Sequence, residues 1–217
     1  MGAQDGKKLL ILGGGGHASV VCACARACGW GARLLGYLAP EPSALMSELK
    51  LEHLGDDDAL ERFAPDQVAL LNGIGSVGDP SRRRRAHDAA AAQGFAFPVL
   101  THPTAIIDPT ALLSEGAQIM AGAIVQIGAR IHAGALINTG ARIDHHCFIG
   151  DHVHIAPGAV LCGQVTVETG AHVGAGATLI QGVRVGQDAL VGAGAVVVGN
   201  VSSGMRTIGV PARESAL

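Results

Sequence analysis

Branched aliphatic residues recur at every sixth position in the second half of the chain. Sixteen consecutive units, the first opening at Ile107 and the last at Val197, carry Ile, Val or Leu at their first position and only Ala, Val or Cys at their fifth. A period of six fits neither an amphipathic helix nor an alternating strand, but it is the repeat of a parallel β-helix. Three units make one triangular coil, so the pattern predicts about five coils in a column on the order of 25 Å tall.

The fourth position of each unit is the predicted corner of the coil. It is Gly in ten of the sixteen units, as expected where the backbone needs a positive φ, and Asp188 and Asn200 are the next most tolerant choices. Four units carry another residue there: Thr110, His146, His152 and Gln164. Three of these lie on nearby coils, so we expect that region to do more than turn the chain.

The first hundred residues alternate between strand and helix patterns. They predict strands over 9–12, 32–38, 68–74 and 97–100, and helices over 18–28 and 81–93, the second helix with a Ser cap. This alternation is typical of a parallel sheet with crossover helices. We therefore expect an α/β + β protein: a small Rossmann-like parallel-sheet domain over residues 1–103 and a left-handed parallel β-helix over residues 104–217.

The first turn of the α/β domain is rich in glycine. Gly13, Gly15 and Ala18 match the G-x-G-x-x-G/A spacing that places backbone N–H groups and a helix N-terminus against phosphate oxygens. A dinucleotide needs two such halves, so a mononucleotide or nucleotide sugar is the better ligand, and a turn without any ligand is the alternative. The predicted substrate contacts lie in this turn and after the third strand: Gly14, Gly15, Gly16, His17, Gly75 and Ser76. The run Arg82 to Arg85 either approaches phosphates or forms a solvated helix face.

Composition and charge exclude several kinds of partner. The chain has 217 residues, a net charge of −3 and 3% aromatic residues, which leaves neither a basic surface nor stacking rings for nucleic acid or an anionic membrane. Its five cysteines are odd in number and lack C-x-x-C spacing, which predicts reduced thiols in the cytoplasm. Four glycines cut short the apolar run after Lys8, so we do not expect a signal peptide.

Three segments of the sequence resemble one family. They are LLILGGGGHA near the start, INTGARIDHHCFIGDHVHIAPGAVLCG within the repeat and IGVPAR near the end. Together they are similar to the bacterial sugar O- and N-acyltransferases, which include sialic acid O-acetyltransferases and enzymes that N-acetylate nucleotide-linked 4-amino-4,6-dideoxysugars. The resemblance spans essentially the whole chain. It implies acetyl-CoA as co-substrate, a nucleotide sugar as acceptor, a homotrimer with sites between neighbouring columns, and no metal.

The resemblance also implies roles for individual residues. His145 corresponds to the general base, a task that suits an imidazole near neutral pH. The backbone N–H of Gly163 corresponds to the donor for the developing oxyanion. The positions that correspond to acetyl-CoA contacts are Asn138, His154, Gly163, Ala175 and Ala193. Gly15, Gly16 and His17 correspond to the nucleotide-sugar site.

The chain departs from the family pattern at two places. The residue after the base is usually Asp or Glu, which orients the imidazole, but here it is His146, and a neutral His stabilises an imidazolium less than a carboxylate does. Asp144 and Asp151 are the other candidates for orienting the base. After the second strand, the acidic pair often found near the nucleobase is missing, which leaves uracil, guanine and other bases open.

Several alternatives remain open at the level of sequence. O-acetylation of a sugar of the sialic acid type is one, although a weakly assisted base and a phosphate-cradling turn favour an amino sugar linked to UDP or GDP. A non-catalytic scaffold that binds sugar nucleotides is another, favoured by His146. A zinc carbonic anhydrase on the same column needs a His two coils upstream of a close pair. No His lies there for any of the candidate ligands, which are His145, His146, His152, His154 and His172. His154 and His172, one coil apart, should stack, either as a structural pair or around a metal.

We therefore expect a cytoplasmic, acetyl-CoA-dependent N-acetyltransferase that modifies a nucleotide-activated 4-amino-4,6-dideoxysugar. The product would serve lipopolysaccharide or other surface polysaccharide assembly.

Overall fold

The computed structural model describes residues 6–76 and 80–216. The chain consists of two compact units, Met1–Leu100 and Thr101–Leu217, so the division falls slightly before the expected boundary at residue 103. Within the described ranges, no helix has the length and apolar character needed to cross a membrane.

The first unit is an α/β domain built on a parallel sheet. Its strands pair in the order β2-β1-β3 and are β1 (Lys8–Leu12), β2 (Leu34–Leu38) and β3 (Val68–Asn72). Its helices are α1 (Gly16–Ala27), α2 (Ala44–Glu48) and α3 (Pro80–Ala92), with 3-10 turns at Gly31–Arg33 and Asp57–Arg62. Because the strands are parallel, the glycine turn after β1 and the residues after β3 meet at the same edge of the sheet, where ligands of such sheets bind.

The predicted strand at residues 97–100 is wrong. The chain after α3 reaches the sheet only at Ala96, which forms an isolated bridge with Ala69 and accepts a hydrogen bond from Leu70 N–H at 2.9 Å. Pro98 has no N–H with which to continue the ladder, and Phe97 packs into the core of the unit.

The predicted Ser cap of the second helix is also wrong. Helix α3 begins at Pro80, so Ser81 lies inside its first turn. Proline is well suited to the first helical position because the N–H it lacks would have no partner within the helix.

The second unit is a left-handed parallel β-helix with three sheets, as the hexapeptide pattern predicts. The first sheet consists of Leu100–Thr101, Gln118–Ile119, Leu136–Ile137, His154–Ile155, His172–Val173, Leu190–Val191, Met205–Gly209 and Ala212–Ala216. The second consists of Ile106–Ile107, Ile124–Val125, Arg142–Ile143, Val160–Leu161, Thr178–Leu179 and Val196–Val197. The third consists of Leu112–Leu113, Arg130–Ile131, Phe148–Ile149, Thr166–Val167 and Arg184–Val185.

The interior of the column is filled by the two positions that the repeat keeps apolar. Ile137 and Ile149 at the first position, and Cys147 and Ala159 at the fifth, are almost completely buried. Strands one coil apart pair in register, so each of these residues stacks on its counterpart in the next coil. Full burial of a branched side chain contributes about 1.5–3 kcal/mol, and only stacked coils provide that burial.

The corners of the coils adopt a positive φ at the fourth position of every unit except the first and the last. Four of these corners are not glycine: His146 (φ 57°), His152 (55°), Gln164 (62°) and Asp188 (54°). A left-handed backbone is unfavourable for a residue with a Cβ, by an amount on the order of 1 kcal/mol. Three of the four, all except Asp188, lie on neighbouring coils around His145, whereas Thr110 and Asn200 do not adopt a positive φ.

Candidate active site

The two adjacent histidines lie at the corner that joins the second and third sheets. His145 is half-buried and His146 is exposed. Their Nδ1 atoms are 3.2 Å apart, and the rings meet edge to face with centroids 5.4 Å apart. Asp144 Oδ1 accepts a hydrogen bond from the backbone N–H of His145 at 2.7 Å, which fixes the backbone at the corner.

Glycines on the neighbouring coils hold both imidazoles. A Cβ on Gly163, one coil after His145, would overlap Nε2 and Cε1 of that ring. A Cβ on Gly128, one coil before His146, would lie 2.8 Å from Cδ2 of His146. Since only glycine leaves room, each ring rests on the backbone of an adjacent coil, and Nε2 of His145 points over Gly163.

The contact between the two Nδ1 atoms restricts the tautomers of the pair. A hydrogen bond there needs one proton, donated by one ring and accepted by the other. When His145 is the donor, its Nε2 carries a free lone pair and is competent to accept a proton. His146 then carries its own proton on Nε2 and acts as the acceptor that orients the His145 ring.

The carboxylates proposed as alternative orienting groups have other contacts. Asp144 bonds to the backbone N–H of His145 rather than to its ring. Asp151 Oδ1 accepts from the backbone N–H of Ala133 at 3.0 Å and lies 4.0 Å from Nδ1 of His132. Among the predicted orienting residues, His146 is the one with a contact to the His145 ring.

A second cluster lies on the first sheet and the corner that follows it. Asn138 Nδ2 donates to Nε2 of His154 at 3.1 Å, while Asn138 Oδ1 accepts from Thr139 N–H at 2.8 Å. His154 is buried and meets His172 edge to face, with centroids 4.7 Å apart, which confirms the predicted stack. Burial lowers the pKa of His172 below its ordinary value of 6.5, and its buried Nδ1 has no hydrogen-bond partner among the described residues.

Backbone N–H groups at the third position of several units have no acceptor among the described residues, and three of these groups belong to predicted ligand contacts. Gly163, Ala175 and Ala193 find no backbone or side-chain acceptor for their N–H within residues 6–76 and 80–216. Ala175 and Ala193 are exposed, one coil apart, at the corner that carries Asn138. Gly163 lies at the other corner, beneath His145.

The first unit contains a cavity of about 390 Å³ at the carboxyl edge of its sheet. Its lining residues come from the turn after β1, the end of β2, the end of β3 and the start of α3: Gly13, Gly14, Gly15, Gly16, His17, Ala39, Pro40, Gly73, Ile74, Gly75 and Arg82. The predicted substrate residues are thus brought together except Ser76, which is buried and does not line the cavity. Helix α1 points its N-terminus here, and its N-cap, Gly15, has no side chain to cap the first turn.

The fold requires glycine at some positions of this turn but not at others. Gly13 has a φ of +96°, and a Cβ on Gly14 would lie 3.0 Å from the Tyr37 ring. Gly15 and Gly16 have open space where a Cβ would stand, and neither needs a positive φ. The fold does not require glycine at these two positions, but close approach of a ligand to the backbone would.

Part of the cavity wall was not predicted from the sequence. Ala39, Pro40 and Ile74 line it without any chemical signature in the sequence. Arg82 and Arg83 belong to a run of four identical residues, and nothing in that run shows which side chain faces the cavity.

The cysteines take a packing role. Burial raises the pKa of Cys147 to about 11, and its Sγ contacts the backbone oxygen of Cys162 at 3.2 Å. Burial also raises the pKa of Cys24 to about 12. Such thiols stay protonated at neutral pH, which makes them poor nucleophiles.

Two family models match the chain. The PglD N-terminal domain matches residues 8–90, and the bacterial transferase hexapeptide (six repeats) matches residues 146–181. A search of curated protein sequences found no match.

Solved structures match over nearly the whole chain. The acetyltransferase domain of PglB from Neisseria gonorrhoeae FA1090, in complex with acetyl coenzyme A, is 34% identical with a TM-score of 0.88, covering 96% of this chain and 99% of that one. PerB from Caulobacter crescentus, in complex with CoA and GDP-perosamine, is 36% identical with a TM-score of 0.88, covering 96% and 97%. WeeI from Acinetobacter baumannii AYE, at 20% identity and a TM-score of 0.85, shares the fold. With this identity to PglB and PerB over both of its units, the chain belongs to the hexapeptide-repeat acyltransferase family and carries the N-terminal domain of the PglD type.

Proposed function

We propose that this acyltransferase moves the acetyl group of acetyl-CoA to the amine of a nucleotide-linked 4-amino-4,6-dideoxysugar. The observation that carries the proposal is the His145 imidazole, whose Nε2 lies over Gly163 while its Nδ1 meets His146. This arrangement leaves a base and a backbone donor side by side at one corner of the column. Two of the similar structures were solved with acetyl-CoA or with CoA and GDP-perosamine, which are reactants or products of this kind of reaction.

The proposed chemistry is direct transfer. The amine attacks the thioester carbon, a C–N bond forms and the C–S bond breaks. His145 accepts a proton from the amine and returns it to the departing CoA thiolate. The Gly163 N–H, which has no acceptor within the described chain, stabilises the oxyanion between these steps.

The acceptor binds in the cavity of the first unit. Backbone N–H groups at the start of α1 suit phosphate oxygens, and the open space above Gly15 and Gly16 gives a ligand access to that backbone. The chain lacks the acidic pair expected beside uracil, and PerB was solved with a GDP-linked sugar. Of UDP and GDP, we favour the guanine nucleotide.

We propose a homotrimer because one column does not bring its own two clusters together. His145 and Gly163 lie at the corner after the second sheet, whereas Asn138 and His154 lie at the corner before it. One side of the prism separates these corners, six residues of nearly extended chain and therefore on the order of 15 Å. A neighbouring column that presents the opposite corner would supply the missing cluster.

The outer face of the second sheet supports this assembly. Its outward row is largely apolar, with Ile106 65% exposed and Val160 half-exposed. A cavity of about 240 Å³ on this face is lined by Ile124, Gln126, Arg142, Ile143, Asp144, Val160, Leu161 and Cys162. Contiguous exposed apolar surface of this kind is typical of an interface. We place the enzyme in the cytoplasm, where nucleotide sugars are made, and in surface polysaccharide assembly.

The test is a CoA-release assay with acetyl-CoA and a panel of acceptors. The panel contains GDP-, UDP- and dTDP-linked 4-amino-4,6-dideoxysugars and free sialic acid. We expect turnover with a nucleotide-linked amino sugar and a base-stable amide in the product. Turnover with sialic acid alone, giving a base-labile ester, would overturn the proposal.

A further inference from the structure

Two consecutive arginines at the start of α3 have different surroundings. Arg82 is exposed and lines the cavity of about 390 Å³, whereas Arg83 is 2% exposed. Successive residues of a helix point about 100° apart, so one of the pair faces the cavity while the other enters the protein. Arg83 Nη1 donates to the backbone oxygens of Asn72 at 2.8 Å and Ile74 at 2.9 Å.

Asn72 completes this contact from the strand side. Its Nδ2 donates to the backbone oxygen of Arg83 at 3.0 Å, and its Oδ1 accepts from Ile74 N–H at 3.1 Å. Burial lowers the pKa of Arg83 to about 10, so the guanidinium remains charged at neutral pH. A buried cation needs its hydrogen bonds, and these bonds fix the start of α3 to the end of β3.

The cavity beside Arg82 favours anions. Within the described residues, no Asp or Glu lines it, and no carboxylate forms an ion pair with Arg82. Helix α1 adds its N-terminus, which has no acidic residue in the first turn. Backbone N–H groups at a helix N-terminus and a guanidinium both stabilise negative charge, and here they come from two different walls of one cavity.

We propose that Arg82 binds the diphosphate of the nucleotide-linked sugar and that Arg83 is the positioning residue that holds Arg82 at the cavity. The inference rests on the proposed function, since it assumes that a nucleotide sugar enters this cavity. In this proposal one phosphate of the diphosphate meets the α1 N-terminus and the other meets Arg82, which line the same cavity. A nucleoside monophosphate, with a single phosphate, contacts either the α1 N-terminus or Arg82 but not both. The forked guanidinium suits two phosphate oxygens at once, which an ammonium does not.

The experiment is calorimetric binding of GDP, UDP and dTDP, and of the corresponding monophosphates, to the full-length wild type and to Arg82→Gln. We expect the wild type to bind a diphosphate more tightly than its monophosphate. Loss of Arg82 should weaken diphosphate binding by about 10- to 100-fold, the range for a hydrogen bond to a charged group, and should leave monophosphate binding nearly unchanged.

Arg85→Gln is the matched control. Arg85 lies one turn along the same helix and contacts Ser81 Oγ, and it does not line the cavity. The Arg85→Gln substitution removes the same charge as Arg82→Gln. Equal losses of diphosphate affinity in the two variants would therefore indicate a general electrostatic effect and overturn the direct contact.

Arg83→Lys tests the positioning role. A lysine keeps the charge, but its ammonium lacks the fixed planar N–H directions with which Nη1 meets both carbonyl oxygens. We expect the preference for diphosphate over monophosphate to fall while acetyl-CoA binding is unchanged. An unchanged preference in this variant would overturn the positioning role.

The outcomes separate this inference from the function on which it rests. A wild type that binds GDP, UDP or dTDP, with Arg82→Gln binding it equally well, would overturn the inference and leave the proposed function standing. A wild type that binds acetyl-CoA but none of these nucleotides would overturn both.

Discussion

At His145, the neighbour of the imidazole is a second imidazole rather than a carboxylate. The 3.2 Å contact between the two Nδ1 atoms orients the ring, as a carboxylate would. It differs in charge, because a neutral imidazole does not stabilise the imidazolium that forms when His145 accepts a proton. His146 can therefore orient the His145 ring as a carboxylate would, but it stabilises a protonated His145 less than a carboxylate does.

Replacement of His146 tests this interpretation. We expect His146→Ala to lower kcat by about 10- to 100-fold, as for loss of an orienting partner, with little change in KM. His146→Asp should restore kcat to the wild-type value or above it, since it supplies both the acceptor and the charge. Steady-state kinetics on the two variants provide the measurement, and a kcat for His146→Ala equal to that of the wild type would show that the contact has no catalytic role.

Gly16 offers a test in which stability and binding should move in opposite directions. It is the first residue of α1, and a Cβ added to it would have no neighbouring atom within 4 Å. Gly16→Ala should therefore stabilise the fold, by about 0.5 kcal/mol, yet weaken nucleotide binding because the methyl group occupies the ligand's space. Thermal unfolding and calorimetry measure the two effects. Gly199→Ala, also in open space, is the control and should leave nucleotide binding unchanged; normal binding by Gly16→Ala would contradict close approach of a ligand here.

At the scale of elements, the repeat determines more than any single residue does. The column was predictable because an unbroken hexapeptide period has one structural solution, and the register within each unit assigns a residue to a face or a corner. The same register predicted the stack of His154 on His172. The α/β unit was less predictable, since Pro98 prevents a strand where the apolar pattern around Phe97 suggests one. Contacts that depend on side-chain direction could not be predicted from the pattern of apolar and polar residues. The burial of Arg83 beside the exposed Arg82 is an example.

The half-buried His172 is expected to make the stability of the protein sensitive to acid. Burial lowers the pKa of His172, so the unfolded chain binds a proton at this residue more readily than the folded protein does. Its contribution to stability is complete above the ordinary value of 6.5 and falls as the pH drops below it. We predict that His172→Gln loses less stability than the wild type between about pH 7.5 and about pH 5.5.

Urea unfolding across that pH range, at one fixed protein concentration, is the measurement for His172. If the urea midpoints of the wild type and of His172→Gln fall in parallel as the pH decreases, His172 does not contribute to the acid sensitivity. Fixed concentration matters because the stability of an assembled protein depends on it.

At the scale of the whole molecule, each unit contributes a different part of one reaction. The α/β unit has a glycine-walled cavity lined by Arg82, the proposed nucleotide site. The column has His145, the proposed base, at one corner and, within the described residues, backbone N–H groups without an acceptor at two corners. The family and the reaction class follow from sequence motifs and from the match to PglB and PerB. The sugar and base of the acceptor depend on the shape of the cavity wall, to which residues without any motif contribute.

In the proposed reaction, His145 removes the proton from the amine during acetyl transfer. The most direct measurement is kcat for His145→Ala with acetyl-CoA and the preferred nucleotide-linked amino sugar, beside dissociation constants for both substrates. We expect kcat to fall by about 10²- to 10⁴-fold, the usual contribution of a positioned general base, while both substrates bind as they do to the wild type. Turnover within a few-fold of the wild type would contradict this role of His145 and would assign the proton transfer to another group.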